Sequence, residues 1–267
     1  MNHLENLLNS QTRMDELLYS FLFPVEERNV SYEFHTDRLF PEIRLRQTEQ
    51  YKAIVKSGNN SLISIMPKTY KLITNEEVIL PVLKFLDNFD NKWVIDPSHS
   101  FVDEKRMRLQ ITFPDLIVND GSSDVALSLF LHNSYNGVEG VRGFWGAIRA
   151  ICTNGMVFGK LLGSFYHRHT SGIDLEKLRV QLESTSSKLP VIAERIKILQ
   201  SIETNSKQLN EIESHLGKTA FKYVEQNFTS TDNQYILLNV LTHWVSHFVK
   251  QHLRANYQRR ISHIFGI

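Results

Sequence analysis

Two pairs of histidines have a spacing that would let each pair share one metal ion. His243 and His247 are four residues apart, which places both on one face of a helix, and His167 and His169 would share one face of a strand. A zinc metalloprotease also needs a glutamate directly after the first histidine as its general base, and Trp244 stands there. Because the chain has 11 histidines, such pairs are expected by coincidence. We therefore predict no metal site at either pair.

The segment from Gly155 to Lys160 resembles a phosphate-binding loop but lacks two of its chemical requirements. Such a loop has four residues between its glycines and a serine or threonine after its lysine. Here three residues separate Gly155 from Gly159, and Leu161 follows Lys160. The segment therefore offers neither the anion cradle nor the magnesium ligand of an NTP-binding loop.

Carboxylates are frequent in the middle of the chain and leave one class of enzyme open. Asp90 and Asp103 each lie two residues before a lysine, an arrangement that occurs in metal-dependent nucleases and is also common by chance. Both lie beside turn-forming residues, where an acidic side chain is usually only solvated. We predict no catalytic residue, no cofactor and no metal, and keep a nuclease that uses Asp90 or Asp103 as a secondary hypothesis.

Charge patterning is more informative than any of these motifs. Segments 140–173 and 233–267 contain no Asp or Glu but several basic residues, and further basic side chains crowd segment 38–56. Each segment alone is equally compatible with salt bridges or helix-end charges that bind nothing. If the three segments meet on one surface, their cations could neutralise phosphates and their aromatic rings could stack on unpaired bases. The residues predicted to bind nucleic acid are then Arg44, Arg46, Arg142, Arg149, Arg254 and Arg259 for phosphates, and Tyr51 or Trp145 for stacking.

The overall composition is that of an ordinary globular protein. The 267 residues are 42% hydrophobic and 22% charged, and the formal net charge of +1 excludes a protein that is basic throughout. A single cysteine, Cys152, cannot form an internal disulfide, which is typical of a reducing compartment. The acidic N-terminal segment and the lack of a run of about 20 apolar residues predict a cytoplasmic protein with no membrane contact.

Hydrophobic periodicity predicts an α+β fold with a largely antiparallel sheet and an N-terminal helix that ends near Pro24. Segments 106–113, 125–132 and 143–158 have the alternation of strands. In the first of them polar and apolar residues alternate strictly, so one face of the sheet is predicted to be wet.

Helical spacing returns after residue 172 and predicts a helical C-terminal third. The last helix is predicted as one element over residues 233–265. We predict that residues 1–172 form a β-rich core and residues 173–267 a helical region that covers the core or protrudes from it, within one structural domain.

Two runs of residues resemble the signature of a known family. Residues 131–137 read LHNSYNG and residues 148–155 read IRAICTNG. Together they are similar to the Asn-Ser-x-x-Gly turn and the Arg-x-x-Cys-x-Asn segment of a phage/plasmid-like family catalogued as domain of unknown function number 932. The resemblance covers residues 61–264 and implies a phage, prophage or plasmid setting without an established activity. The motif positions are Asn133, Gly137, Arg149, Cys152 and Asn154.

These observations lead to one main hypothesis and two alternatives. The main hypothesis is a DNA-binding accessory protein of a mobile element, in its more specific form a single-strand binding or annealing protein that assembles as a homo-oligomer. The first alternative is a protein–protein interaction module that acts on a host complex, such as an anti-defence factor, through the helical segment 175–217. The second alternative is the nuclease described above.

Overall fold

The chain forms an antiparallel α+β structure, as its periodicity predicts. The computed structural model describes residues 17–36, 43–88, 90–97, 99–119, 124–149, 155–157, 164–170, 180, 189–229 and 232–267. Every strand pair among these residues is antiparallel. Residues 17–21 are the described part of the predicted N-terminal helix. In the described part of the chain, no helix is both long enough and apolar enough to cross a membrane.

The first sheet has three strands in the order β1 (Val25–His35), β2 (Ile43–Lys56) and β3 (Ser61–Pro67). A register shift between Asn29 and Ser31 divides the β1–β2 pair into two parts. In the first part, where residues 25–29 pair with residues 52–56, β2 buries Ala53, Ile54 and Val55. In the second part, residues 31–35 pair with residues 43–47, and all ten of these residues are exposed. We call this second part, residues 31–35 and 43–47, the ribbon.

Within the described ranges the second sheet has seven strands, and its central strands follow the order β10-β8-β7-β6-β4, with β5 on β6 and β9 on β8. One face is apolar and contributes to the main core, for example through Leu109, Leu131 and Trp145. The strands are β4 (Val94–Ile95), β5 (Phe101–Val102), β6 (Arg106–Asn119), β7 (Asp124–Ser134), β8 (Val141–Arg149), β9 (Gly155–Val157) and β10 (Ser164–His167).

The opposite face of this sheet is polar, and the prediction that it would be wet is wrong. Arg108, Gln110 and Thr112 on this face of β6 are all buried, with Arg108 6% exposed. The C-terminal helix, α6 (Gln251–Phe265), lies over Arg108 and Gln110, which line a small cavity together with Gln251, Arg254, Ala255 and Gln258. Gln251 donates to the Ser100 carbonyl at 2.7 Å, and Arg108 donates to the His252 carbonyl. The alternation in the sequence thus separates an apolar core face from a polar face that is equally enclosed.

The helices that precede α6 bury apolar residues in the main core together with the apolar face of the sheet. Thr74 caps α1 by accepting from the Glu77 amide at 3.1 Å, while the Glu77 carboxylate accepts from the Thr74 amide, which completes a capping box. The other helices precede α6. Their bounds are α1 (Asn75–Leu86), α2 (Leu189–Ser201), α3 (Ser206–Leu216), α4 (Lys218–Asn227) and α5 (Gln234–Phe248).

The last helix predicted over residues 233–265 is two helices, α5 and α6. Val249 has extended backbone angles, φ −90° and ψ 136°, which end α5. The break lets α6 fold back on α5, so that Trp244 packs edge-on against Tyr257 with ring centroids 5.1 Å apart. Neither glycine nor proline marks this break in the sequence.

The C-terminal helices cover the sheet instead of protruding from it. Ile192, Ile196 and Leu199 of α2 are buried in the same apolar core as the strands. Residues on both sides of position 172 share this core. The described part of segment 175–217 therefore buries one apolar side within the molecule, while Val191, Ile198 and Ile202 are exposed.

Candidate nucleic-acid interface

Three polar side chains stand side by side on the covered face of the large sheet. Arg108 on β6 is opposite His132 on β7, and His132 is opposite Arg142 on β8. Directly opposed residues of antiparallel strands project from the same face. The strand register therefore places two guanidinium groups on either side of one imidazole.

Glu139 supplies the negative charge of this group. It lies in the turn between β7 and β8, and its carboxylate accepts from Arg108 and lies 3.7 Å from Nδ1 of His132. The turn is held by Ser134, whose hydroxyl donates to the Glu139 carbonyl at 2.7 Å and accepts from the Glu139 amide at 3.1 Å. The same turn contains Gly137 of the sequence motif, at φ +71°.

Arg259 of α6 adds a third cation from the opposite side. Burial lowers the pKa of the Arg259 guanidinium, and the nearby charges of Arg142 and Arg108 lower it further, while Glu139 raises it. Burial and the same three arginines hold the pKa of His132 well below its ordinary value, so this imidazole is neutral at pH 7. Among the described residues that form it, this arginine cluster (Arg108, Arg142, Arg259, His132 and Glu139) has three positive charges and one negative charge.

The arginine cluster reaches the surface at Tyr166. The Arg142 guanidinium lies over the Tyr166 ring at 4.6 Å from its centroid, and the two residues are directly opposed on β8 and β10. Tyr166 is 51% exposed. A cation and an accessible aromatic ring therefore lie together at the edge of the large sheet.

A cavity of about 320 Å³ opens beside Tyr166, where the two sheets meet. We call it the junction pocket. On one wall, Tyr70 and His169 stack with ring centroids 4.7 Å apart. Its lining includes Met66, Tyr70, Gly137, Glu139, Tyr166 and Arg168. Glu139 thus belongs to both the pocket and the arginine cluster.

The turn approaches β10 so closely that one position requires glycine. A Cβ atom on Gly140 would lie 2.8 Å from Cε2 of Tyr166 and would collide with the His167 carbonyl oxygen. The small residue therefore lets the turn pack against the strand that carries Tyr166.

The structure brings some of the predicted nucleic-acid residues together and separates others. Arg142 and Arg259 both contribute charge to the arginine cluster, and the charge of Arg142 lowers the pKa of Arg259. Arg254 lies on the same helix as Arg259 and donates to the Val249 carbonyl at 3.0 Å, and burial lowers the pKa of its guanidinium. Tyr51 is half-exposed and opposite Pro67, which lines the junction pocket.

Arg44 and Arg46 lie apart from this group, on the ribbon. Arg46 lies five positions before Tyr51 on an extended strand, a distance of roughly 17 Å. The predicted convergence of the three basic segments is therefore partial, since segments 140–173 and 233–267 meet, while Arg44 and Arg46 of segment 38–56 lie on the ribbon.

Trp145 is not available to stack on a base, in contrast to its predicted role. It is 0% exposed and packs against Phe113 with ring centroids 5.7 Å apart. Trp145 is opposite Leu129 on the apolar face of the sheet, so strand alternation directs it into the core. At Arg149 only the backbone is described, opposite Val125, and Cys152 and Asn154 lie outside the described residues.

The motif residue Asn133 has a structural role that the sequence did not reveal. Its side-chain amide donates to the Ile73 carbonyl at 2.9 Å and to Oδ1 of Asn75 at 3.0 Å, with Asn133 and Asn75 both buried. Asn133 therefore ties β7 to the start of α1, below the turn that holds Glu139.

Sequence reasoning missed Arg108, His132 and Glu139 as members of the site. Their signal was the alternation on β6 combined with the pairing of β6, β7 and β8, which puts polar residues of three strands in one row. Without knowing that α6 covers this row, the alternation indicated only a wet surface.

The residues considered for metal chemistry have other contacts. Asp103 accepts from the amides of Lys105 and Arg106, both at 2.7 Å, as in an ordinary turn. His243 bonds to the Tyr223 hydroxyl at 2.8 Å, and its ring lies 4.3 Å from that of His247. No group of three or more His, Cys, Asp or Glu side chains that could hold a metal ion occurs within the described ranges.

Comparison with known proteins gives one match. No curated protein and no solved structure is significantly similar to this chain. The model of a family described as a domain of unknown function (DUF932) matches residues 63–263. This range includes the turn motif, the arginine cluster and the junction pocket, and it confirms the resemblance predicted from residues 131–137 and 148–155. The chain belongs to the DUF932 family.

Proposed function

We propose that this protein binds DNA, with a preference for single strands, as an accessory protein of a mobile genetic element. The observation that carries the proposal is the arginine cluster, where Arg108 pairs with Glu139, Arg142 lies over the exposed ring of Tyr166, and Arg259 adds a third positive charge. The mobile-element setting comes from the sequence resemblance described above.

The unbalanced charge of the arginine cluster favours an anionic ligand. Arg142 forms a cation–π contact with Tyr166, and the contacts of Arg259 are to the Ala255 carbonyl and Asn256, which are both neutral. Charges in a partly buried site interact more strongly than charges in water. A phosphate group placed between Arg142 and Arg259 would therefore relieve the mutual repulsion that lowers the pKa of Arg259.

The aromatic ring at the edge of the arginine cluster favours single strands over a duplex. A base can stack on an exposed ring such as Tyr166 only when it is not already stacked and paired within a double helix. The junction pocket beside this ring has about the minimum volume expected of a ligand site.

Binding of labelled single- and double-stranded DNA, measured by fluorescence anisotropy, tests the proposal. We expect tighter binding of the single strand, and a loss of affinity of about a hundredfold in Arg142→Gln with Arg259→Gln, because each of the two lost charge-assisted contacts costs about 1.5 kcal/mol.

The matched control is Lys84→Gln with Lys222→Gln, which removes two charges from exposed positions on α1 and α4. We expect this control to bind DNA nearly as the wild-type protein does. No DNA binding at low salt, or equal affinities in the two double variants, would contradict the proposal.

A further inference from the structure

The ribbon is a protruding element whose exposure its own packing does not explain. All ten of its residues are exposed, although they include two aromatic and two aliphatic side chains. β3 pairs with residues 51–56 of β2 and stops before the ribbon. A two-stranded ribbon exposed on both faces gains little stability from its own packing. Its large apolar side chains therefore point to a ligand or partner.

The two faces of the ribbon differ in chemistry. Tyr32 is opposite Arg46, and Phe34 is opposite Arg44, so these four side chains share one face. We call this the aromatic–arginine face. None of these four described residues is acidic. The other face consists of Ser31, Glu33, His35, Ile43, Leu45 and Gln47.

The two aromatic rings of the aromatic–arginine face are accessible. Tyr32 is 48% exposed and Phe34 is 36% exposed. Their ring centroids lie 6.3 Å apart with the planes at 52°, so the rings do not stack on each other. Both rings therefore have surface on which a flat ligand could stack.

We propose that the aromatic–arginine face of the ribbon is a second contact site for single-stranded nucleic acid. The pairing of two cations with two exposed rings matches a polymer that alternates phosphates with unpaired bases. A protein partner would be expected to use the opposite face, where Ile43 and Leu45 are the more exposed apolar residues. Because the ligand is the one proposed above, the inference rests on the proposed function and adds a site to it.

Because of the position of the ribbon, its contribution to binding should depend on the length of the oligonucleotide. The ribbon continues β2 beyond Tyr51, which is opposite Pro67 at the junction pocket. A strand bound at the arginine cluster must therefore extend past Tyr51 to reach Tyr32 and Phe34. Short oligonucleotides of about five nucleotides should depend on the arginine cluster alone, and oligonucleotides of about 30 nucleotides on both sites.

The test compares the two faces of the ribbon. Tyr32→Ala with Phe34→Ala removes the rings, and Ile43→Ala with Leu45→Ala removes the apolar side chains of the opposite face as a matched control. Because all four side chains are exposed, both variants should unfold at the wild-type temperature. We expect the ring variant to lose about tenfold in affinity for the long oligonucleotide and to bind the short one normally. The control should bind both like the wild-type protein, and Tyr32→Phe should restore the affinity of a Tyr32→Ala variant.

Three results would be informative in different ways. If wild-type protein binds DNA, the arginine-cluster variant loses affinity and the ring variant does not, the ribbon inference is wrong and the proposed function stands. If the ring variant loses affinity and the arginine-cluster variant does not, the ribbon site stands and the placement of the main site is wrong. If only the Ile43 and Leu45 control has an effect, and that effect is a change of oligomeric state, the ribbon is a protein interface and the inference is overturned.

Discussion

The arginine cluster and the ribbon both present guanidinium groups, but they surround them differently. Arg108, Arg142 and Arg259 are partly or fully buried around Glu139, whereas Arg44 and Arg46 are exposed on a two-stranded ribbon. Charges in the first environment are screened less by salt, and their side chains are already held in place. Charges in the second are screened more, and ordering their side chains costs conformational entropy. Substituting an arginine in the arginine cluster should therefore have a different effect on the protein from substituting an arginine on the ribbon.

The arginine cluster also holds like charges close together in a buried site, which the exposed ribbon does not. Arg108 is buried in the cluster, and Arg142 and Arg259 add further positive charge around it. Glu139 offsets part of this repulsion, and the Gly137–Gly140 turn holds Glu139 in place. The stability of the fold and the charge of the site are therefore linked at Glu139.

Removing the Glu139 charge should give the largest effect of any single change. Glu139→Gln leaves buried Arg108 without its carboxylate, and we expect the free energy of unfolding to fall by about 3 kcal/mol. Urea denaturation at pH 7 measures this change.

The control for this substitution is Glu26→Gln. It breaks the Arg28–Glu26 pair, in which both side chains are exposed and lie 2.6 Å apart. That change should cost less than about 0.5 kcal/mol. Equal losses in the two variants would mean that the cluster is no more coupled to stability than a surface pair.

Gly140→Ala should give the next largest effect. The added methyl group collides with the His167 carbonyl and with the Tyr166 ring, and forcing it into place should cost about 2 kcal/mol of unfolding free energy. Gly58→Ala is the control, because no atom lies within 4 Å of the Cβ position there. Thermal unfolding of both variants gives the comparison, and an unchanged melting temperature in Gly140→Ala would show that the turn can move away from β10.

Much of the fold was predictable because it depends on local patterns. Thr74 and Glu77 mark the start of α1, and the alternation on β6 identifies its strand and its apolar face. The burial of the polar face was not predictable, because it depends on α6, which lies more than 130 residues later in the chain. The split of the last helix at Val249 was missed for a related reason, since it depends on packing between the two helices, such as that of Trp244 on Tyr257.

The candidate site was predictable only in part. Arg142 and Arg259 were identified from the lack of acidic residues around them, and the structure places both in one cluster. Trp145 was misassigned because its neighbours in the sequence are basic, whereas its side chain follows the core face of β8. Arg108 and Glu139 were missed because their roles depend on strand register and on a turn, which composition does not reveal.

His132 should make the stability of the protein sensitive to acid, with a smaller effect than either substitution. Burial and the three arginines hold its folded-state pKa well below 6.5, although Glu139 lies beside it. Below about pH 6.5 the unfolded chain therefore binds a proton that the folded chain does not, and stability falls as pH falls. We expect a loss of about 1 kcal/mol between pH 6.5 and 5.5 from this residue.

Urea denaturation at several pH values measures this loss, and His132→Gln should reduce the slope. Part of the slope should remain, because burial also lowers the pKa of His169 and His243. An unchanged slope in His132→Gln would contradict the assignment of a neutral imidazole inside the arginine cluster.

The most direct test of the account is the salt dependence of single-strand binding in the wild-type protein and in Arg142→Gln with Arg259→Gln. Each phosphate contact to a single strand contributes about 0.7 to the slope of log affinity against log salt. If DNA contacts the arginine cluster, the slope should become shallower by about 1.4 in the variant, for two lost phosphate contacts, and stay at the wild-type value in Lys84→Gln with Lys222→Gln. Identical slopes for the wild-type protein and the arginine-cluster variant would mean that DNA does not contact the arginine cluster.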